Sequence, residues 1–116
     1  MNLIEERPWG KYEVLLEAND VKVKKITVNP KQRLSYQYHY KRQEQWVVVI
    51  GRLSIVLDGN KLIREASETI SIPLGSHHRA WNETEDVVVF IEVQTGTYFG
   101  EDDIVRISDD YKRCLL

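Results

Sequence analysis

Apolar positions in this chain recur in short runs with a period close to two, which is the spacing of β-strands. Lys11–Glu17 and Val21–Val28 are rich in β-branched and aromatic residues and are separated by the turn-like Ala18-Asn19-Asp20. Val21, Val23, Ile26 and Val28 break a strict alternation, which predicts a bulge near Lys24-Lys25. Further strands are expected at Arg33–His39, Trp46–Ile50, Leu53–Leu57, Lys61–Arg64, Thr69–Ile72 and Val87–Val93. Asp58-Gly59-Asn60 predicts a tight hairpin, because these residues accept positive φ. Helical patterning is confined to one short turn around Asp109 to Cys114.

Many short strands with turn residues between them predict a closed barrel or a sandwich of two antiparallel sheets. Trp46-Val47-Val48-Val49-Ile50 and Val87-Val88-Val89-Phe90-Ile91 are apolar on both faces. One face of such strands fills the barrel, and the other needs a second sheet or subunit. A homodimer is therefore expected.

Composition narrows the picture without changing it. The 116 residues suit a single domain, residues 1–116, around one core. No apolar run approaches the roughly 20 residues of a membrane-spanning helix, and the acidic start Met1-Asn2-Leu3-Ile4-Glu5-Glu6-Arg7 has no signal-peptide core. The lone Cys114 leaves no internal disulfide, so a cytoplasmic protein is expected. A net charge of −2 with interspersed signs gives no nucleic-acid footprint. The densest basic cluster, Lys22, Lys24 and Lys25, reads as a solvated strand face.

Two stretches carry candidate chemistry: Gln37-Tyr38-His39-Tyr40-Lys41-Arg42-Gln43-Glu44-Gln45-Trp46, and Pro73-Leu74-Gly75-Ser76-His77-His78-Arg79-Ala80-Trp81-Asn82. Gln37 and His39 share a strand face, Glu44 opens the next strand, and His78 follows a Pro-x-Gly turn. Two imidazoles, a carboxylate and an amide oxygen form a mixed N/O donor set suited to zinc, manganese, iron, nickel or cobalt. By residue type alone, a hydrogen-bonded or surface His–Glu pair is the competing reading.

The two stretches resemble the paired motifs of the cupin superfamily. The first follows Gln37, His39, Glu44 and Gly51, with Gln37 where many cupins have histidine; the second follows Pro73, Gly75, His78 and Asn82. More closely, the chain resembles the C-terminal cupin domain of type II phosphomannose isomerases, which is often fused to a mannose-1-phosphate guanylyltransferase. Arg7-Pro8-Trp9-Gly10, Gln32-Arg33-Leu34-Ser35, Trp46-Val47-Val48-Val49, His78-Arg79, Ile91-Glu92-Val93-Gln94 and Gly100-Glu101-Asp102-Asp103-Ile104-Val105-Arg106 carry that resemblance. It implies an all-β jelly-roll barrel of two antiparallel sheets holding one divalent metal, zinc first among the candidates, on Gln37, His39, Glu44 and His78. It also implies a stand-alone chain without the nucleotidyltransferase half.

The implied activity is interconversion of mannose 6-phosphate and fructose 6-phosphate through an enediol. Arg79 and Arg106 are then candidates for binding the sugar phosphate or stabilising the intermediate, against a structural pairing with the acidic run Glu101-Asp102-Asp103. Lys41 would bring an ammonium near the phosphate, against a solvated turn lysine. Glu92, a carboxylate inside an apolar strand, is a candidate base, with His77 as the other. The tryptophans Trp9, Trp46 and Trp81 either line the pocket or fill the core. The sequence departs from the family pattern at Tyr40, Lys41 and Gln45, where the family carries histidines, and at Lys31, where it carries glycine. Those departures keep two alternatives open: a non-catalytic metal cupin that binds a sugar phosphate or nucleotide sugar, and a different metal-cupin enzyme.

Overall fold

A computed structural model of the chain describes residues 3–111. Cys114 and the second half of the expected C-terminal turn lie outside them. Eleven strands follow in order: β1 Leu3–Arg7, β2 Gly10–Glu17, β3 Val21–Val28, β4 Tyr36–His39, β5 Arg42–Ile50, β6 Arg52–Leu57, β7 Asn60–Glu65, β8 Thr69–Ile72, β9 His78–Trp81, β10 Val88–Gly96 and β11 Ile104–Ser108. The one helical piece among the described residues is a 3₁₀ turn at Glu101–Asp103. The strands form two antiparallel sheets, ordered β1-β2-β3-β10-β5-β8 and β11-β4-β9-β6-β7. This is a jelly roll, as expected.

Local chemistry explains the corners. In the β6–β7 hairpin, Asp58 (φ 47°) and Gly59 (φ 83°) both take positive φ between paired Leu57 and Asn60, a two-residue turn whose twist matches the strands. Gly10 opens β2 so close to β3 that a Cβ would lie 2.0 Å from the Thr27 carbonyl oxygen. Lys31 stands at φ 65° beside Pro30. The left-handed conformation costs a non-glycine residue about 1 kcal/mol, and its Nζ bonds to the Glu83 carbonyl at 2.7 Å.

The expected bulge is displaced. β3 pairs with β10 without a register shift, and Lys24, Ile26 and Val28 alternate inward along it. The irregularity lies in β2, where Val14 pairs with Lys24 but Leu16 pairs with Val23. The apolar residues seemed out of phase because β3 turns a lysine inward. Lys24 is 4% exposed, so it does not belong to a solvated face.

The inner face of the six-stranded sheet changes character row by row. Val28 pairs with Val88; the next row joins Tyr12, Ile26, Phe90 and Val48; then come Lys24, Glu92 and Trp46; then Lys22, Gln94 and Glu44. Across the barrel, Ile55 pairs with Ala80, and the adjacent row joins Leu57, His78, Gln37 and Arg106. One end of the barrel is therefore packed hydrocarbon, with Trp9, Val28, Leu53, Ile55, Val88 and Phe90 all buried. The polar rows of both sheets face each other at the other end.

Candidate metal centre

Gln37 and His39 project inward from β4, Glu44 from β5 and His78 from β9, so three strands of both sheets supply the expected ligands. One ligand atom each from His39, Glu44 and His78 lies within 4.8 Å of the other two, and all three residues are buried. The Pro73-x-Gly75 turn sets the approach of β9: Ser76 N–H donates to the Pro73 carbonyl, and Gly75 N–H to the His39 carbonyl. His78 Nδ1 donates to the Ser76 carbonyl at 2.9 Å, which leaves the lone pair on Nε2, 4.0 Å from Glu44 Oε1. Opposite, Asp103 accepts from the backbone N–H groups of Tyr40 and Lys41 and pins the turn between His39 and Arg42.

Protonation favours ligation. Burial, then the charges of Arg42 and His78, lower the His39 imidazole to about 3. Burial also lowers His78, against the Ser76 hydrogen bond. Both rings are neutral at physiological pH, as a metal requires.

Arg42 is a resident cation hydrogen-bonded to this set, and the sequence reading missed it. Its Nε donates to Glu44 Oε2 at 2.9 Å and its Nη2 to His39 Nε2 at 3.0 Å. Arginine only donates, so His39 Nε2 accepts, and Gln37 Oε1 turns a second lone pair toward the same region, 3.1 Å from Nε2. Two acceptors so placed leave room for a cation to satisfy both. The donor set and its convergence fit a divalent cation, with the guanidinium as its rival for Glu44 and His39. The remaining Glu44 oxygen accepts from Trp46 Nε1 at 2.9 Å.

These four side chains open onto a cavity of about 560 Å³, a volume that includes open solvent at its mouth. Arg106 and Glu92 line it, as do Trp9 and Trp46, which are also core residues. Burial first, then the Glu44 charge, raises the Glu92 carboxyl to about 7, and its Oε2 accepts from Gln94 Nε2 at 2.7 Å. The cavity also takes in Arg7, Tyr12 and Lys24, which the sequence reading did not assign to it. Ser35 Oγ and Arg42 Nη1 are buried without a hydrogen-bond partner among the described residues.

Other candidates are not brought together with this set. Arg79 follows His78 on β9 and so points to the opposite face, where its guanidinium donates to the carbonyls of Leu34 and Ser108. It lies 4.0 Å from Asp110 and not against the Glu101-Asp102-Asp103 run. His77 is exposed and stacks on Tyr38, with ring centroids 4.8 Å apart. Lys41 is exposed, its Nζ 5.2 Å from the Tyr98 ring centroid. Trp81 sits between Arg33 and Lys61. For Arg79 and His77 the strand period already held the signal.

Comparison with known proteins agrees with the fold and the motifs. The family model described as mannose-6-phosphate isomerase C-terminal matches residues 3–109. Over 107 residues, 92% of this chain, it is 43% identical to a mannose-1-phosphate guanylyltransferase of Salmonella montevideo and 41% identical to the alginate biosynthesis protein AlgA of Pseudomonas aeruginosa. The aligned part is 23% and 22% of those proteins, so the chain spans less than a quarter of their length. Among solved structures, the capsular polysaccharide assembling protein CapF of Staphylococcus aureus superposes with a TM-score of 0.78 at 19% identity, covering 93% of this chain and 34% of that one. An uncharacterised double-stranded β-helix protein of Klebsiella pneumoniae superposes with a TM-score of 0.72 at 23% identity, covering 81% and 80%. These two likenesses concern the fold.

Proposed function

Because the chain belongs to the mannose-6-phosphate isomerase C-terminal family, we propose that it is a cytoplasmic, metal-dependent sugar-phosphate isomerase interconverting mannose 6-phosphate and fructose 6-phosphate through an enediol. One observation carries this reading: His39, Glu44 and His78 converge, with Gln37 beside His39, on a cavity whose lining cations, Arg7, Lys24, Arg42 and Arg106, outnumber its carboxylates Glu44, Glu92 and Glu101. A cavity of that charge favours an anionic ligand, and a divalent cation held there adds to the preference.

Gln37, His39, Glu44 and His78 are the proposed ligands, with zinc the first candidate metal. A cation held there would supply electrophilic polarisation of the sugar carbonyl and electrostatic relief for the developing oxyanion. Glu92 is the candidate base that carries the proton between C1 and C2. A carboxyl near 7 is matched to taking and returning a proton at neutral pH, and Gln94 fixes one of its oxygens. Arg106, beside Gln37 in the β11–β4 ladder, and Arg42, with an unused donor at Nη1, are the candidate hydrogen-bond donors to the sugar oxygens. The chain is further proposed to work as a homodimer that covers the outer face of the six-stranded sheet.

The test is a coupled assay on zinc- or manganese-loaded protein with mannose 6-phosphate. Turnover that falls by about 10²–10⁴ in Glu92→Gln is the expected result. Tight binding of a sugar phosphate with no turnover of any hexose phosphate would discard the isomerase and leave the non-catalytic binding reading.

A further inference from the structure

Lys24 stands in a place that a lysine rarely occupies. It projects from β3 between inward-facing neighbours, its side chain is 5% exposed, and its Nζ lies 4.1 Å over the Tyr12 ring. A buried ammonium needs an anion. Its nearest acid is Glu101, whose Oε2 is 3.7 Å away and which reaches in from the 3₁₀ turn before β11. The same carboxylate meets two other donors. Tyr12 Oη is 3.5 Å from Glu101 Oε1, and Arg7 Nη2 is 3.9 Å from it. Arg7 Nη2 in turn donates to Tyr12 Oη at 3.2 Å.

All three contacts to Glu101 lie at or beyond ordinary hydrogen-bond length. The carboxylate answers the charge of this nest without filling it. Glu101 is also half in solvent, with its side chain 42% exposed, whereas Lys24 is held inside. A tetrahedral phosphate brings up to three acceptor oxygens and nearly two charges. It can therefore engage an ammonium, a guanidinium and a phenol at once, which a two-oxygen carboxylate at these distances does not.

We propose that Arg7, Tyr12 and Lys24 form an anion subsite that takes the phosphate group of a sugar phosphate, and that the chain's own Glu101 is the stand-in anion that the phosphate displaces. The nest lines the same cavity as His39, Glu44 and His78, and Lys24 pairs directly with Glu92 in the β3–β10 ladder. The subsite rests on the reading of the cavity as a sugar-phosphate site, and it anchors the end of the sugar remote from the reacting carbons. Glu101 then acts as an internal competitor that sets the affinity: it offsets part of the nest's charge when no substrate is present, with Glu5 on the other side of Arg7, and yields when one arrives.

Calorimetric titration of the metal-loaded full chain with inorganic phosphate, mannose 6-phosphate and unphosphorylated mannose tests this without relying on turnover. Glu101→Gln keeps the shape and removes the competing charge, and it is expected to tighten phosphate binding several-fold. Lys24→Met is expected to weaken phosphate and mannose 6-phosphate by tenfold or more, with mannose unaffected and metal stoichiometry retained. Phosphate binding that weakens or stays constant in Glu101→Gln overturns the proposal, and because Glu101 is partly exposed that variant answers even if Lys24→Met fails to fold. Phosphate binding that follows these variants in a protein without isomerase activity upholds the subsite and rejects only the catalytic reading. Isomerisation with an unchanged KM for mannose 6-phosphate in Lys24→Met does the reverse.

Discussion

Arg42 is the residue on which the chemistry of the centre turns. Its guanidinium bonds to Glu44 and His39, so a metal ion meets both a rival for two ligands and a like charge beside the site. Arg42→Leu is expected to destabilise the metal-free protein by about 3 kcal/mol, because Glu44 loses its buried counter-charge. The same change is expected to tighten zinc binding, so zinc should raise the melting temperature more in the variant than in the parent. Alanine at Gln37, His39 or His78 should lower the bound metal measured by elemental analysis while circular dichroism stays that of the parent, since none of them belongs to the apolar core.

Glu92 and His39 impose opposite pH dependences on the metal-free fold. A carboxyl raised to about 7 holds its proton more firmly folded than unfolded, so its contribution is present below its unfolded value and declines as pH rises toward 7. An imidazole lowered to about 3 binds its proton more weakly folded, so its contribution is full above 6.5 and is lost as pH falls toward 3. Glu92→Gln should therefore abolish the decline between about pH 5 and 7 in urea midpoints while leaving the acid limb intact.

At the scale of elements, how much could be read in advance followed from how plainly each strand alternates. β2, β3 and β8 match the expected Lys11–Glu17, Val21–Val28 and Thr69–Ile72 nearly residue for residue, and the Asp58-Gly59 hairpin forms as its turn chemistry requires. β1, β9 and β11 were not foreseen. Leu3–Arg7 reads as a charged terminus, and His78–Trp81 and Ile104–Ser108 mix charge with short apolar runs. Their strand identity comes from pairing with neighbours, which no local window contains. The four proposed ligands were legible through the resemblance to the paired motifs, and the fold brings their side chains to one cavity. Arg42 and Lys24 were not, because their partners gather only in the fold: Lys24 meets Glu101 from the 3₁₀ turn, and Arg42, beside Glu44 on its own strand, gains its place in the site only when His39 of β4 is brought against it. The close approach at Gly10 belongs to this scale too: Gly10→Ala forces Cβ onto the Thr27 carbonyl and is expected to cost about 2–3 kcal/mol in urea denaturation.

For the whole molecule, the outer face of the six-stranded sheet is the open question of assembly. Val47, Ile91 and Val93 are partly exposed and Val49 is 47% exposed, on strands whose inner faces are buried. The proposed homodimer predicts twice the monomer mass in sedimentation at micromolar concentration. Val49→Glu combined with Ile91→Glu should return the species to one copy while metal content is unchanged. A parent that sediments as a single copy would reject the homodimer.

The row-by-row gradient inside the barrel divides the molecule into two territories that answer to different demands. Hydrocarbon at the closed end fixes the shape, and ionisable side chains at the open end are tethered to that shape through backbone ladders and the Trp46–Glu44 hydrogen bond. Exchanging a ligand or a cation near the rim thus leaves the foundation in place, whereas trimming Val28 or Phe90 would loosen everything above it. A cup built this way can be given a new occupant by rewriting its lip alone.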